Sequence, residues 1–412
     1  MDVSRRRHLA VPALALALTA LLAACGGGGN APVRHSPRTI AVPKDARTIQ
    51  AAVDDARPGD MVLVSPGTYR ESVIIETDGI TLRGLDRNTV LLDGGDTREN
   101  GVMVFSNGVA VENMTIGHFK SNGVLFTGDY GKGTTLRGYR AAYLTTWDNG
   151  LYGVYAFNAR GGVIDNVYAS GHPDSGIYVG QCNPCDAVVR NTTAELNAVG
   201  FQATNASGNL LVVSSVWRNN RIGVEPNSSA KERLTPQHDA TFVGNVISDN
   251  NAVGAPKGTD AFGVGVGIGG GNANLVERNR IDGNAAGGVV IADAETFLAE
   301  GNSVRGNELA GNGTDLVVAT RSGAAASNCF ADNRFSTSSP PGIESLFPCG
   351  AAGTGGAGGP SPTANPDGPD YRIVPRPAAQ PNMAGAATRP SGPAPATPPA
   401  VDLAALTVPP AP

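Results

Sequence analysis

The sequence predicts an all-β solenoid in which a parallel β-helix advances by one coil per repeat. Gly153, Gly176, Gly200 and Gly223 are spaced 23, 24 and 23 residues apart, and 23 residues also separate Gly265 from Gly288. A second repeat places two asparagines five or six residues apart, and it occurs at Asn191/Asn197, Asn245/Asn250, Asn279/Asn284 and Asn302/Asn307. Units this short, rich in Val and Ile and without room for a helix, indicate coils that stack on their neighbours.

Stacking determines what each repeated position does. Equivalent residues of successive coils lie ~4.8 Å apart, so inward positions form columns of Val, Ile and Leu. Stacked amides at the bends can hydrogen-bond along a column and satisfy one another. We expect one such column. In it, Asn279 lies between Asn245 and Asn302, and Ser214–Ser215 takes the position of an asparagine that one coil lacks. Asn166 and Asn191 are expected in the same column. These asparagines are predicted to be structural and not catalytic.

Residues 1–25 have the composition of a targeting signal. Arg5–Arg7 is basic, Leu9–Leu22 is apolar but too short to span a bilayer, and Leu22-Ala23-Ala24-Cys25 resembles a bacterial lipobox. That resemblance implies lipidation of Cys25 and an extracytoplasmic protein, lipid-anchored to the bacterial cell membrane. The alternative is an ordinary cleaved signal with an incidental cysteine. Residues 26–38 are expected to be a flexible spacer.

Composition divides the remaining chain into a β-helix domain, 39–349, and a tail, 350–412. Ala, Pro, Gly, Thr and Ser dominate the tail. Such a segment has little apolar surface to offset the entropy lost on ordering, so it is predicted to be disordered or polyproline-like. The formal net charge is −5, and no basic run follows the signal. Nucleic acid is therefore not an expected partner.

Four cysteines remain after Cys25. Cys329 and Cys349 lie on either side of the last coil, where a disulfide would fix the C-terminal end of the solenoid. Cys182 and Cys185 form a C-x-x-C pair without the βαβ context of a redox motif or the second ligand pair of a zinc site. A local disulfide is the simplest interpretation of this pair, and metal binding is the alternative.

The first coils show a resemblance to a known superfamily. Thr48 can cap a short helix whose Ile49, Ala52, Val53 and Ala56 share one face, and the helix would cover the open edge of the first coil. Thr48-Ile49-Gln50, Pro58-Gly59-Asp60 and Pro66-Gly67-Thr68-Tyr69 together resemble the first coils of the pectate-lyase-like superfamily. The resemblance implies a single-domain right-handed parallel β-helix with an N-terminal capping helix. It specifies function weakly, because one fold supports many activities.

Candidate site residues follow from the glycine spacing. Two positions after each of Gly153, Gly176, Gly200 and Gly223, an outward row is predicted of Tyr155, Tyr178, Gln202 and Glu225. Gln181 and Asn205 belong to a second row, and Asp174, Arg221 and His172 lie near. Tyrosines, amides and charges in parallel rows suit the binding of sugars, and Arg221 is expected to meet a sugar carboxylate bidentately. An ordinary solvated face is the alternative, since Tyr and Gln also suit strands.

Interruptions of the repeat predict loops beside this row. The 42 residues between Gly223 and Gly265 leave about 19 more than a coil, assigned to loops 226–240 and 251–262. A third interruption is the glycine-rich stretch Thr127–Thr134. Long loops on a rigid scaffold often form the walls of a site.

Family chemistry transfers only in part. Calcium-dependent pectate lyases use clustered Asp, which this row lacks, so Ca²⁺ is unsupported and the cofactor stays open. His172-Pro173-Asp174 reverses the Asp-Pro-His order of mannuronan epimerases, so that role is not transferred. One hypothesis is a monomeric cell-surface protein that binds and processes an acidic polysaccharide as a lyase or epimerase. In it Arg221 or His172 is the base and Tyr178 the proton donor. The other is a non-catalytic glycan-binding or envelope-structural solenoid.

Overall fold

Three long parallel sheets form the body of the protein. The computed structural model describes residues 35–411, so the predicted signal, Cys25 and most of the spacer lie outside the described residues. Sheet 1 has twelve strands: Thr39–Val42, Met61–Val64, Thr81–Gly84, Val109–Glu112, Leu136–Ala142, Ala159–Asp165, Ala187–Arg190, Leu210–Val213, Ala240–Val243, Leu275–Glu277, Ser303–Arg305 and Cys329–Ala331. Sheet 2 has ten strands: Gly67–Tyr69, Val90–Asp93, Thr115–Gly117, Thr145–Trp147, Tyr168–Ser170, Thr193–Glu195, Val216–Arg218, Val246–Ser248, Arg280–Asp282 and Glu308–Ala310. Sheet 3 has eleven strands: Val73–Ile75, Val102–Val104, Val124–Thr127, Val154–Phe157, Ser175–Gly180, Val199–Thr204, Ile222–Asn227, Val264–Gly269, Gly287–Ala292, Leu316–Val318 and Ser338–Ser339.

Each coil contributes one strand to each sheet, and strands of successive coils are neighbours. This is the parallel β-helix that the glycine and asparagine repeats predict. Columns of apolar side chains fill the interior, as where Ile164, Val189, Val212 and Phe242 pair in register along sheet 1. All four belong to one continuous core cluster. The core is therefore a series of similar layers, each packed on the next.

A short helix covers the N-terminal end, as predicted. It spans Ile49–Asp55, and the side chain of Thr48 accepts a hydrogen bond from the backbone N–H of Ala51 at 3.1 Å. Ile49, Ala52 and Val53 are buried against the first coils. The other helices are Ser322–Ala325 and Ile343–Leu346, and 3₁₀ turns span Tyr371–Ile373 and Leu403–Ala405. Within residues 35–411, no helix has the length and apolar character needed to cross a bilayer.

Buried asparagines form three ladders instead of the single column expected. In each ladder, the side-chain oxygen of an asparagine accepts two hydrogen bonds from the ladder residue of the preceding coil. One comes from its backbone N–H and the other from its side-chain nitrogen. For Asn245 donating to Asn279 Oδ1, both distances are 2.9 Å. The first ladder runs Ser215, Asn245, Asn279, Asn307, Asn333 and ends on Glu344. The second runs His172, Asn197, Asn220, Asn250, Asn284, Asn312 and ends on Asp315. The third runs Gln237, Asn274, Asn302, Asn328.

The expected order of the asparagine column is wrong at three places. Asn279 does bond to Asn245, but its other neighbour is Asn307, because Asn302 belongs to the third ladder. Asn166 and Asn191 are in no ladder. Both adopt positive φ at a turn and donate to the Asp165 carboxylate. Asparagine tolerates this left-handed backbone conformation, so it also recurs at turns, for a reason unrelated to the ladders.

Both predicted disulfides are present. Cys182 is joined to Cys185, and Cys329 to Cys349. The first pair lies at the buried edge of the solenoid, where Cys182 is 2% and Cys185 0% exposed. The second ties residues after the last coil to sheet 1, as the position of these cysteines predicts.

The tail is extended and is bound to the solenoid. Residues 350–411 contain only the two 3₁₀ turns, yet they lie along the solenoid as an extended segment with many backbone contacts. Arginines of the coils donate to tail carbonyls: Arg83 to Thr388, Arg87 to Pro381, Arg221 to Pro366, Arg278 to Leu403 and Arg280 to Pro409. Proline-rich chain has fixed φ angles and exposed carbonyls, so it binds such donors at a low entropic cost.

The tail also covers an apolar cluster on the outside of sheet 3. The cluster consists of Val199, Ile222, Val264, Ala286, Val290 and Val317. The tail crosses it where Ser361 N–H donates to the Ala286 carbonyl at 2.9 Å and Gly358 N–H donates to the Val318 carbonyl at 2.6 Å. The hydrophobic surface that the tail lacks is thus supplied by the solenoid.

Candidate functional site

The predicted outward row lies on sheet 3 in the predicted register. Tyr155 pairs with Tyr178, Tyr178 with Gln202, and Gln202 with Glu225, on four successive strands. Three coil steps of ~4.8 Å make this row about 14 Å long. The glycine spacing therefore predicted the register of these strands correctly.

Three tyrosines form a compact aromatic surface at one end of the row. The rings of Tyr152 and Tyr155 stack with centroids 4.3 Å apart, and Tyr178 contacts Tyr155 edge-on at 4.8 Å. We call Tyr152, Tyr155 and Tyr178 the tyrosine platform. Tyr152 and Tyr155 are partly exposed, whereas Tyr178 is only 2% exposed, so its predicted exposure is wrong. Flat, partly exposed aromatic rings beside polar groups are typical of ligand sites.

The long loop between Gly223 and Gly265 does fold beside the row. Glu232 in this loop accepts hydrogen bonds from the Tyr178 hydroxyl at 2.7 Å and from Gln181 Nε2 at 3.1 Å. Ser229 is held by Asn205, whose side chain both donates to and accepts from its backbone. Partial burial raises the pKa of Glu232, and the two donors oppose that rise. The loop thus places a carboxyl group at the edge of the tyrosine platform.

A hydrogen-bonded chain joins two further carboxyl groups across the row. Ser175 Oγ lies 3.0 Å from Asp174 Oδ1 and 2.8 Å from Gln202 Oε1, and Gln202 Nε2 donates to Glu225 Oε2 at 3.0 Å. A serine hydroxyl has one proton, so it cannot donate to both oxygens. It therefore donates to one of them at a time, and Gln202 donates onward to Glu225.

Both carboxyl groups of this chain have raised pKa values. Burial raises the pKa of Asp174, while hydrogen bonds from Ser175 and Tyr152 oppose the rise. Burial and the nearby Asp174 carboxylate raise the pKa of Glu225 to about 7, with the Gln202 bond opposing. A carboxyl group with a pKa near neutrality can both accept and donate a proton under physiological conditions.

His172 does not fit the predicted role of a base. The structure places it inside the solenoid at 0% exposure, at the start of the second ladder. Its Nδ1 lies 2.7 Å from Asn197 Oδ1 and its Nε2 lies 3.2 Å from Asn149 Nδ2. Burial lowers its pKa to about 4. Its inward position was not predicted, because a histidine can replace an asparagine in a ladder without a change in the length of the repeat.

Arg221 also lies away from the row. Its side chain is 0% exposed, and its guanidinium donates to the carbonyls of Ala255 and Pro366 and to Asn365 Oδ1. Two of these partners belong to the tail. Arg221 therefore connects the loop 251–262 to the tail, which rules out both the predicted base and the predicted contact with a sugar carboxylate.

Two amide side chains that were predicted to bind substrate are hydrogen-bonded to other parts of the protein instead. Asn205 is fully buried and holds Ser229, so it positions the loop and offers nothing to a ligand. Gln181 is 1% exposed and supports Glu232 from behind. Both lie at positive-φ turns that follow sheet 3 strands, where Asn and Gln serve the bend. Of the predicted set, Tyr155, Tyr178, Gln202, Glu225 and Asp174 come together at one surface.

Several residues of the site were missed by the sequence reasoning. Tyr152 precedes the regular strand, and Glu232 lies in a loop whose path the repeat does not specify. Tyr130, from the Thr127–Thr134 interruption, lies 5.2 Å from Phe157, whose ring is 5.6 Å from Tyr155. The interruptions themselves were the available signal, because they marked both loops that supply these groups.

The walls of the resulting groove are formed by two loops. On one side is the loop 228–236, with Glu232. On the other is the loop 251–262, whose Gly258 packs on the Pro173 carbonyl next to Asp174. We call the surface between these loops, with the tyrosine platform as its floor, the sheet 3 groove. Within residues 35–411, no three His, Cys, Asp or Glu side chains converge closely enough to hold a metal ion.

The loop 228–236 also carries two exposed basic side chains, Lys231 and Arg233. The Arg233 guanidinium lies over the Tyr130 ring, 4.5 Å from its centroid. In the part of the chain that the structure describes, neither side chain forms an ion pair. The groove thus combines protonatable carboxyl groups on its floor with unpaired positive charge on its edge.

Comparison with known proteins supports the fold. Residues 137–304 match the family model described as right handed beta helix region, which agrees with the predicted handedness. No curated protein sequence matches the chain.

Solved structures with this fold are similar to the chain at low identity. The A-module of the Azotobacter vinelandii mannuronan C-5 epimerase AlgE4 is 16% identical, with a TM-score of 0.50 over 69% of this chain and 90% of that one. An alginate lyase from Paenibacillus sp. str. FPU-7 is 14% identical, with a TM-score of 0.44 over 73% of this chain and 99% of that one. At 16% identity, the likeness to the AlgE4 A-module shows the fold, a right-handed parallel β-helix, and no more.

Proposed function

We propose that the protein is a cell-surface lipoprotein that binds an acidic polysaccharide in the sheet 3 groove and processes it by a lyase or epimerase reaction. The observation that carries the proposal is the hydrogen bond between Tyr152 of the tyrosine platform and Asp174, which joins the platform to the chain Asp174–Ser175–Gln202–Glu225. Aromatic faces can stack on sugar rings, while the carboxyl groups and amides meet their polar substituents. The names of the similar structures, an epimerase of mannuronan and a lyase of alginate, support the same polymer class.

Glu225 is assigned as the base in place of Arg221 and His172. Both reaction types begin with removal of the proton beside the sugar carboxylate, which requires a base tuned near neutrality. The pKa of Glu225, about 7, meets this requirement. The negative charge that develops on the sugar carboxyl must be stabilised, and the hydroxyl of a neutral tyrosine in the platform can donate a hydrogen bond to it.

Tyrosine hydroxyls are the proton donors of the proposed reaction. Burial raises the pKa of Tyr152, Tyr155 and Tyr178 above the ordinary value for tyrosine, so all three are neutral at physiological pH. In a lyase, one of them would protonate the departing glycosidic oxygen. In an epimerase, one would return a proton to the opposite face of the same carbon. Tyr178 was predicted for this role, but its hydroxyl is committed to Glu232. Tyr155 lies three coil steps from Glu225, so Tyr152, which contacts Asp174 next to Glu225, is the better placed donor.

The test is an assay on purified protein with mannuronan, alginate and pectate. Unsaturated-product absorbance detects a lyase, and the exchange of solvent deuterium into the sugar ring detects an epimerase. Glu225→Gln should abolish product formation while binding is retained, and Glu300→Gln, an exposed residue outside the groove, should behave as wild type. Activity that survives Glu225→Gln would overturn the assignment of the base.

A second candidate is a glycan-binding protein without catalysis. It is favoured by the hydrogen bonds of Glu232. One of its oxygens already accepts from the Tyr178 hydroxyl and the other from Gln181 Nε2. Such mutual satisfaction is typical of a binding surface held rigid. Saturable binding of a polyuronate, with no product from any polymer, would support this function over the first.

A further inference from the structure

The aromatic surface of the groove continues beyond the tyrosine platform. Phe157 follows Tyr155 along its strand with ring centroids 5.6 Å apart, and Tyr130 follows Phe157 at 5.2 Å. Both added rings are partly exposed. From Glu225 to the strand Val102–Val104 there are five coil steps, so the continuous surface is about 24 Å long.

A cavity of about 600 Å³ lies at the far end of this surface. Its lining includes Phe105, which is 47% exposed, together with Tyr130, Leu136, the Asn107 amide and the carboxyl groups of Glu76 and Asp129, of which Asp129 is paired with Lys132. This volume falls within the range of small-molecule sites, which combine aromatic walls with a few polar groups. The glycine-rich stretch Thr127–Thr134 forms one wall and gives the cavity its depth.

Arg233 contacts the Tyr130 wall of this cavity. Its guanidinium stacks over Tyr130, and its backbone N–H lies 3.3 Å from the Tyr130 hydroxyl oxygen. Stacking uses the face of the guanidinium and leaves its N–H edges free for a planar anion. Lys132, on the other wall, is different, because it forms an ion pair with Asp129 at 2.9 Å.

The residues that precede Arg233 are anchored. Ser229 and Ala230 donate to the Glu295 carboxylate at 3.1 and 2.9 Å. Next to Arg233, Glu232 is fixed by Tyr178 and Gln181. An anchored backbone lowers the entropy lost when the Arg233 side chain binds a ligand.

We propose that the cavity beside Tyr130 is a subsite for a sugar ring that carries a carboxylate, and that Arg233 binds this carboxylate bidentately. The inference rests on the proposed function, since it extends the same groove. It specifies the substrate class further: the polymer carries a negative charge on a sugar about four coils from Glu225, and not only on the sugar that reacts. Arg233 thus takes the role that the sequence suggested for Arg221.

The test measures binding of matched oligosaccharides that differ in charge. Oligomannuronate and oligogalacturonate are compared with mannan- and galactan-derived oligosaccharides of equal length by isothermal titration calorimetry. Wild type should bind the acidic set at least ~10-fold more tightly, and Arg233→Ala should lose this preference. Arg233→Lys should recover part of it, since the charge remains but the fork is lost. Arg70→Ala, an exposed arginine beside a sheet 2 strand, is the matched control.

Two outcomes separate the inference from the function on which it rests. If Arg233→Ala keeps the acidic preference while Glu225→Gln still abolishes product, the subsite is wrong and the proposed function stands. If wild type binds none of the oligosaccharides, both are wrong. Melting temperatures equal to wild type establish that the variants are folded, which is expected because Arg233 is exposed.

Discussion

The hydroxyl of Tyr178 donates a hydrogen bond to Glu232 at 2.7 Å, although 54 residues separate the two in sequence. This contact joins the floor of the sheet 3 groove to its loop. The loop lies between Asn227, the end of one sheet 3 strand, and Ala240, the start of the next sheet 1 strand. The contact therefore determines where Lys231, Glu232 and Arg233 stand relative to the tyrosine platform.

The first prediction concerns this contact. Tyr178→Phe should destabilise the fold by about 1–3 kcal/mol, because a partly buried carboxyl group loses a donor. It should also free the loop, so that trypsin cleaves after Lys231 and Arg233 faster than in wild type. Tyr168→Phe is the matched control, since it also removes a Tyr–Glu bond, to Glu195, but leaves the loop held. Equal cleavage rates in both variants would show that Tyr178 does not position the loop.

The second prediction concerns pH. The pKa of Glu225 is raised from 4.5 to about 7 in the folded protein, so between these values the folded state binds more protons than the unfolded state. The free energy of unfolding should then fall as pH rises through that window. Asp148, whose pKa is raised to about 8 by burial and by Asp96 and Asp370, acts in the same direction. Urea titrations at pH 5 and 7.5 should show a smaller difference for Glu225→Gln than for wild type. An unchanged difference would contradict the assignment.

The third prediction separates the asparagine ladders. Asn279→Ala should cost about 1–3 kcal/mol, because Asn245 and Asn307 are then left with unsatisfied buried groups. In a double-mutant cycle measured by chemical denaturation, Asn279→Ala and Asn307→Ala should be non-additive, because the two residues share hydrogen bonds. Asn279→Ala with Asn302→Ala should be nearly additive. Coupling of Asn279 with Asn302, and not with Asn307, would instead support the single column expected from the sequence.

The fourth prediction concerns the tail. Deletion of residues 351–412 should lower the melting temperature, because it exposes the apolar cluster around Ala286 and leaves buried guanidinium groups such as Arg221 without partners. Arg389→Ala should not lower it, because this exposed guanidinium hydrogen-bonds, within residues 35–411, only to the next residue. A melting transition unaffected by the deletion would show that the tail contributes no stability.

The fifth prediction concerns anchoring. Cys25→Ser should release the protein from the membrane fraction, because the lipobox then lacks its lipidated residue. The fractionation is followed by immunoblot in the bacterial host. Retention of Cys25→Ser in the membrane fraction would contradict the lipoprotein assignment.

The sequence predicted the fold in detail because its signals are periodic. Glycines at constant spacing gave the register of Tyr155, Tyr178, Gln202 and Glu225, since a coil has a nearly fixed length. Thr48 and the apolar face after it gave the capping helix. Such patterns are local, and each depends on backbone geometry that the residue type itself favours.

What the sequence could not give is the position of groups outside the repeat. Asn recurs both in buried ladders and at left-handed turns, so Asn166 and Asn279 cannot be distinguished by their neighbours in sequence. His172 takes the position of an asparagine in the second ladder. A buried ladder histidine and a catalytic histidine cannot be distinguished by sequence alone. Glu232 and the tail reach their places through contacts between residues far apart in the chain, and no period records those contacts.

The first ladder has a direction, and its last residue is acidic. Each asparagine in it donates its backbone N–H and one side-chain N–H to the oxygen of the next ladder residue, and its other side-chain N–H to a carbonyl of the preceding coil. Asn333 has no further asparagine to donate to, and a carboxylate oxygen takes that place. Glu344 Oε1 accepts from the Asn333 backbone and side chain, each at 2.9 Å. A coil added in the middle by duplication would preserve this polarity, whereas a new coil at the end would have to bring its own anion.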